Sequence, residues 1–261
     1  MIFKHELKTN YKSLLIWSLA ISGTNFCFML MYPSLQDSMR KAMDAYSNMG
    51  ALTAAFGMDK LSMATALGFY GVYVGAILSL GGAMFAAMLG TGILSKEEGG
   101  HTSEFLYTLP FTRNSVVAGK TAAVMLMIII FNIISFLFGI LSFPIINAVL
   151  PLKEVLIFHI GQLAMQAEVG AICVLLSACS KKVSLGSGFG IAMLFYFLDM
   201  MARVLSPLKF AKYITPFYYA NAADVMVNGR IDILLLFIGM VIAALCIGAS
   251  IWYYNKRDLA A

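Results

Sequence analysis

Six long apolar runs dominate the chain: Leu14–Tyr32, Leu67–Leu94, Thr121–Phe143, Glu154–Ala178, Leu185–Arg203 and Ile231–Tyr254. The hydrocarbon core of a bilayer is about 30 Å thick and an α-helix rises about 1.5 Å per residue, so one crossing takes roughly 20 largely apolar residues. Each run meets that length. Backbone amides and carbonyls find no water inside a bilayer, which leaves helices and closed barrels as the spanning forms, and these runs lack the alternation of barrel strands. The sequence therefore predicts an all-α, polytopic membrane protein of six transmembrane helices, with residues 1–261 as a single domain. Composition excludes the soluble alternative. Hydrophobic residues make up 61% of the chain and charged residues 12%, against roughly 45–50% and about 25% in a soluble domain. A 28.4 kDa chain cannot hide that much apolar surface in one core.

Six crossings return both termini to one side. Lys181-Lys182 lies in the tight link between the fourth and fifth runs and Lys256-Arg257 follows the sixth, so the positive-inside rule places both termini in the cytoplasm. The net charge of +5 suits contact with anionic inner-leaflet lipid. It does not point to nucleic acid, because no basic cluster is interleaved with stacking aromatics. The lysines ahead of the first run resemble a signal-peptide n-region. That run exceeds the usual apolar length, however, and Met31-Tyr32-Pro33 follows in place of a small-x-small cleavage site, so it is read as a retained span. Cys27, Cys173, Cys179 and Cys246 fall within or at the ends of spans and read as packing residues, with neither a disulfide framework nor metal-ligand spacing.

Three segments between the runs stand out. In Pro33–Ala66, Leu35, Met39, Met43 and Tyr46 recur at helical spacing, which predicts an amphipathic helix lying at the outer surface. In Ser206–Arg230, Pro207, Pro216 and the run Phe217-Tyr218-Tyr219 predict a chain that dips into the outer interface and returns, since Tyr rings favour the headgroup level. The third is the cytoplasmic loop of residues 95–120. Gly99-Gly100 breaks the second span, Thr102 or Ser103 can cap a new helix, and Glu104 suits the positive end of its dipole. Phe105, Leu106 and Leu109 then share a side and Pro110 ends the helix. Such a helix shows Phe and Leu to the cytoplasm, and a partner protein is the simplest cover for them.

The loop has further order: Glu98, a glycine, Thr102-x-Glu104-x-Leu106, Leu109-Pro110-x-Thr112-Arg113, then Lys120. This pattern resembles the region after the second span in permeases of type-2 ATP-binding-cassette exporters. The layout agrees, with six spans, a proline-aromatic outer segment at Pro216-Phe217-Tyr218-Tyr219 and a closing Asn255-Lys256-Arg257-Asp258-Leu259. His101 departs from the family, which more often has Gly before the Thr. The resemblance implies that the short helix docks on a cytoplasmic nucleotide-binding subunit, with Glu98, Thr102, Glu104, Phe105, Leu106, Leu109, Pro110 and Arg113 as the coupling surface. It also implies ATP and Mg on that partner and no cofactor on this chain, and pairing with a second permease copy or a related permease. The expected setting is a bacterial plasma membrane, and the expected cargo an amphipathic or lipid-like molecule such as a drug or antimicrobial peptide.

Other patterns are weighed against this reading. Gly119-Lys120-Thr121 looks like the end of a phosphate loop, but Asn114 stands where the first glycine belongs and no strand precedes it, so the chain is not expected to bind ATP. Gly186-x-Gly188-x-Gly190 lies inside an apolar run; Gly186 with Gly190, and Gly71 with Gly75, have the spacing of close helix packing. In the fourth run His159, Gln162 and Gln166 fall within about 60° on a helical wheel and Glu168 about 180° from His159. Glu168, Gln162, Gln166, Asn132 and Asn25 are candidates either for a substrate route or for bonds between helices. Asp199 and Arg203, four apart, are expected to pair. A secondary carrier or channel-like protein is the alternative, but the halves of the chain show no inverted repeat and proline is expected to be absent from span interiors. An intramembrane enzyme ranks third, because no catalytic set converges at one depth.

Overall fold

The computed structural model describes residues 2–47, 50–100 and 112–257. Those residues form helices and turns with no strand among them. Six helices are long and apolar enough to cross a membrane: Ile2–Ala42, Ala66–Gly92, Arg113–Ile145, Leu152–Cys179, Leu185–Val204 and Ile233–Lys256. They are called the first to sixth spans below. The second and fourth form the centre, with 67% and 61% of their apolar windows buried, whereas the fifth and sixth, at 22% each, lie on the rim.

The first helix differs most from expectation. It is continuous over Ile2–Ser47, so the separate amphipathic helix expected after Pro33 is instead the extension of the first span. Pro33 lies inside it, which corrects the expectation that span interiors lack proline. Proline removes one backbone donor and crowds the preceding turn. Packing holds that turn here: Tyr32 donates to the Ala64 carbonyl at 2.7 Å and its ring lies 5.2 Å from that of Phe69.

The second span opens on Thr65, whose hydroxyl accepts from the Gly68 amide at 3.1 Å, and passes through a π-helical turn at Tyr70–Val74. Its glycines allow close approach. A side chain at Gly90 would meet the Gly170 carbonyl and Cys173 Cβ at 2.7 Å, so the second and fourth spans touch almost backbone to backbone. Gly71 and Gly75 also pack closely, but against Leu61, Met226 and Ala222 outside the spans. Gly186 and Gly190 do not pack as expected. Among the described residues nothing lies within 4 Å of a side chain placed at either, and it is Gly188 that abuts Thr91 and Ala87 of the second span. Spacing tells that two glycines share a face; it does not tell which face a neighbour covers.

The third span begins at Arg113, capped by the Thr112 hydroxyl at 3.3 Å from the Ser115 amide, so the second part of the expected loop is already helical. At the end of the bundle away from the termini, here the distal end, the fifth span gives way to a 3-10 helix, Ser206–Tyr213. The chain then dips into the bundle. Thr215 donates back to the Phe195 carbonyl at 2.8 Å, and Gln162 of the fourth span donates to the Ala220 carbonyl at 2.8 Å. Phe217 and Tyr219 are buried in the protein rather than turned outward to lipid headgroups, and the irregular backbone around them finds protein partners for its polar groups. Asn221 caps the helix Ala222–Asn228, Gly229 ends it at φ +60°, and Asp232 caps the sixth span.

Candidate functional site

Two groups of polar residues interrupt the apolar bundle. The first lies at the proximal end, where the opening turns of the first helix and the turn at Arg257 meet the residues that flank 101–111. Three carboxylates and three cations are interleaved there: Glu6 pairs with Lys96 and Lys120, Glu97 with Lys120, and Glu98 with Arg257. Lys120 is 1% exposed and also donates to the Ile93 carbonyl at 2.7 Å, satisfying the frayed end of the second span. The lysine of Gly119-Lys120-Thr121 thus faces carboxylates within the bundle. Arg257 donates to the Ala178 and Ser180 carbonyls at 2.6 and 2.9 Å, closing the end of the fourth span. Arg113 donates to the Arg257 carbonyl at 2.8 Å and to that of Asn255 at 3.1 Å, while Asn255 bonds Asn114. Cations at helix C-termini meet free carbonyls and the negative end of the dipole, so these arginines do both.

Of the expected coupling residues, Glu98 and Arg113 are therefore both bound to the chain's last described turn, one through the Arg257 side chain and the other through its carbonyl. Thr102, Glu104, Phe105, Leu106, Leu109 and Pro110 lie outside the described residues.

The second group runs through the centre of the spans. Gln162 donates to Ser79 Oγ at 2.8 Å as well as to Ala220; Asn132 donates to Gln166 Oε1 at 2.8 Å and to its own helix at Ile128. Tyr219 donates to Glu168 Oε2 at 2.9 Å, Tyr70 bonds His159 Nε2 at 2.9 Å, and Ser22 meets Ser135 at 2.9 Å. All of these tie one part of this chain to another. Gln162, Gln166 and Glu168 are buried, and Asn25 borders a void of about 10 Å³ with Ser135 and Tyr70, no more than one water needs. Asn132 Oδ1, Gln162 Oε1 and Gln166 Nε2 have no hydrogen-bond partner among the described residues. A wider cleft of about 520 Å³ opens at the distal end beside the sixth span, lined by Tyr219, Asn228, Arg230 and Asp232. Tyr219 thus stands between this cleft and Glu168.

Distally, Arg203 binds Asp199 at 3.0 Å, as expected from their spacing, and also Asp224 at 2.6 Å and the Tyr218 carbonyl at 3.2 Å; Lys60 reaches Asp224 as well. Burial pushes the Asp224 carboxyl up, but the Arg203 guanidinium and Lys60 ammonium outweigh it and hold the group below the ordinary carboxylate range. The roles of Glu6 and Lys96 at the proximal end, of Ser79 and Tyr70 at the centre and of Asp224 distally are marked by no sequence pattern, and Arg257 is marked only as part of the closing tail. Their partners are far along the chain, and for the charged ones the signal is a charge placed near the end of an apolar run.

A family model described as an ABC-2 family transporter protein matches residues 1–259. No curated protein matches the chain.

Proposed function

This chain belongs to the ABC-2 family of transporter proteins, as a membrane permease subunit of an ABC transporter, and we propose that it couples ATP hydrolysis on a separate nucleotide-binding subunit to export of an amphipathic or lipid-like substrate. In this reading both termini and the 101–111 segment face the cytoplasm of a bacterial cell, and residues 1–261 act as one permease domain in its plasma membrane. ATP and Mg bind the partner. Phe105, Leu106 and Leu109, with Glu104 and Thr102, form the docked surface, Pro110 ends it, and two permeases pair to enclose the route.

The observation that carries the reading is the proximal ionic cluster. Glu98 and Arg113 flank the docking segment and both hold the Arg257 turn, which also closes the fourth span; Lys120 links the third span to the first through Glu6. A push on the segment is then delivered to the ends of five spans together instead of being absorbed by a loose loop. Closure of the ATPase subunits would move those ends, and the Tyr219–Glu168 bond beneath the distal cleft would act as the exit-side closure. Asn132, Gln162 and Gln166, with spare bonding capacity at the bundle centre, would meet polar parts of the substrate when the spans separate.

The test is reconstitution. Purified permease alone should hydrolyse no ATP, and ATPase activity should appear only with its nucleotide-binding partner. Phe105→Glu combined with Leu106→Glu should abolish co-purification of that partner while the permease still inserts. ATP hydrolysis by the permease alone would sink the reading, and so would full partner recovery by the double variant.

A further inference from the structure

The 3-10 helix Ser206–Tyr213 sorts its side chains by threes. At three residues per turn, positions i and i+3 lie over one another, so Leu208 and Ala211 form one edge, Lys209 and Lys212 a second, and Phe210 and Tyr213 a third. Ala211 is buried against the bundle, whereas Phe210 and Tyr213 are exposed. The lysine edge lines a cavity of about 160 Å³ whose other walls include Asp59, Lys60, Arg203 and Tyr218. Arg203 is already bound to Asp199 and Asp224, and Lys60 to Asp224. Lys209 and Lys212 have no acidic partner among the described residues; the Lys212 ammonium lies 4.8 Å from the centre of the Tyr213 ring. With Asp199 and Asp224 taken by Arg203 and Lys60, the cavity wall keeps Lys209 and Lys212 against the single carboxylate of Asp59, a net excess of one positive charge.

We propose that the cavity holds the phosphodiester of a phospholipid headgroup, from the leaflet on the side away from the termini, with Lys209 and Lys212 as its charge partners. The surroundings choose a lipid over a free anion. Phe210, Tyr213 and Ile214 stand exposed beside the mouth, and Met201, Val204 and Leu205 continue that apolar surface down the rim of the fifth span. The mouth therefore sits where hydrocarbon gives way to headgroups, the level at which aromatic rings collect and lysines extend along their stems toward phosphates. A free phosphate would gain nothing from that apolar border. The bound lipid would hold the 3-10 helix against the bundle beside Arg203. The proposal rests on the transport reading only in naming that leaflet the outer one.

Lipid uptake by delipidated, detergent-solubilised permease, followed by native mass spectrometry without ATP, tests it. Phosphatidylglycerol should bind at one saturable site, and diacylglycerol of the same chains should not. Lys209→Gln with Lys212→Gln should weaken binding roughly 30-fold, at about fivefold per lysine. Lys209→Arg with Lys212→Arg should retain the site, as should the exposed control Lys153→Gln; a loss in the arginine pair as great as in the glutamine pair would overturn the charge assignment. Equal binding by wild type and the glutamine pair would overturn the proposal. So would displacement of the lipid by millimolar inorganic phosphate, which would mark a free-anion site instead. Because no ATPase partner enters this measurement, its failure leaves the transport reading untouched.

Discussion

Lys120 stands with 1% of its side chain exposed between Glu6 and Glu97. Removing the ammonium would take a cation from both carboxylates and leave the Ile93 carbonyl without its buried donor, and breaking a buried pair costs about 3–5 kcal/mol. Lys120→Met should therefore lower the unfolding midpoint of the permease sharply in detergent. Lys96, which shares Glu6 but is 29% exposed, should tolerate the same change at a cost of about 1 kcal/mol or less. A similar contrast governs Asp224. Its carboxyl is held below its ordinary value of 3.8 by Arg203 and Lys60 despite partial burial, so its stabilising contribution is complete above that value and is lost as pH falls through the lower folded one. Asp224→Asn should flatten the acid limb of the stability profile in that window, and an unchanged limb would show that the distal ion pairs contribute little. None of these partners was legible from the sequence. The Asp199–Arg203 pair was, because four residues of helix bring the two together without any knowledge of the fold.

At the level of elements, hydropathy marked all six spans but not their ends. The first helix runs on through Pro33 because Tyr32, Phe69 and the Ala64 carbonyl hold the turn around it, and those contacts come from chain that proline rules do not see. Phe217 and Tyr219 read as interfacial aromatics yet fill the bundle, since the depth of a re-entrant segment is set by bonds such as Gln162 to Ala220. Glycines give the sharpest test of element packing. A side chain at Gly188 would stand 2.6 Å from Thr91 Cγ2 and 3.1 Å from the Ala87 carbonyl, whereas Gly190 has nothing within 4 Å among the described residues. Gly188→Leu should thus push the fifth span from the second and destabilise the permease by about 1–3 kcal/mol or more. Gly190→Leu should leave the unfolding midpoint of the isolated chain near wild type. Equal losses in the two variants would contradict the packing of the fifth span described here.

For the whole molecule, the proposed coupling requires that force entering at the 101–111 segment reach spans beyond its own neighbours. Beside the Lys120 link among the first three spans, the hub that reaches the fourth and sixth is the Arg257 turn, which binds Glu98, the fourth-span carbonyls of Ala178 and Ser180, and Arg113. Sequence exposed the segment on either side of it, through Glu98, Thr102 to Leu106 and Arg113, but treated Arg257 as part of a tail, because nothing local links position 257 to position 98. If the hub transmits force, Arg257→Gln should separate the two halves of the cycle in the reconstituted transporter. The partner should still bind and hydrolyse ATP, while substrate export per ATP falls by about tenfold or more, as charge-assisted bonds worth about 1.5–3 kcal/mol no longer hold the moving ends together. Loss of partner binding would assign Arg257 to the docking surface itself. Export and hydrolysis that remain coupled at wild-type ratio would mean that force travels through the span contacts alone, and the ionic cluster would then be a device of stability only.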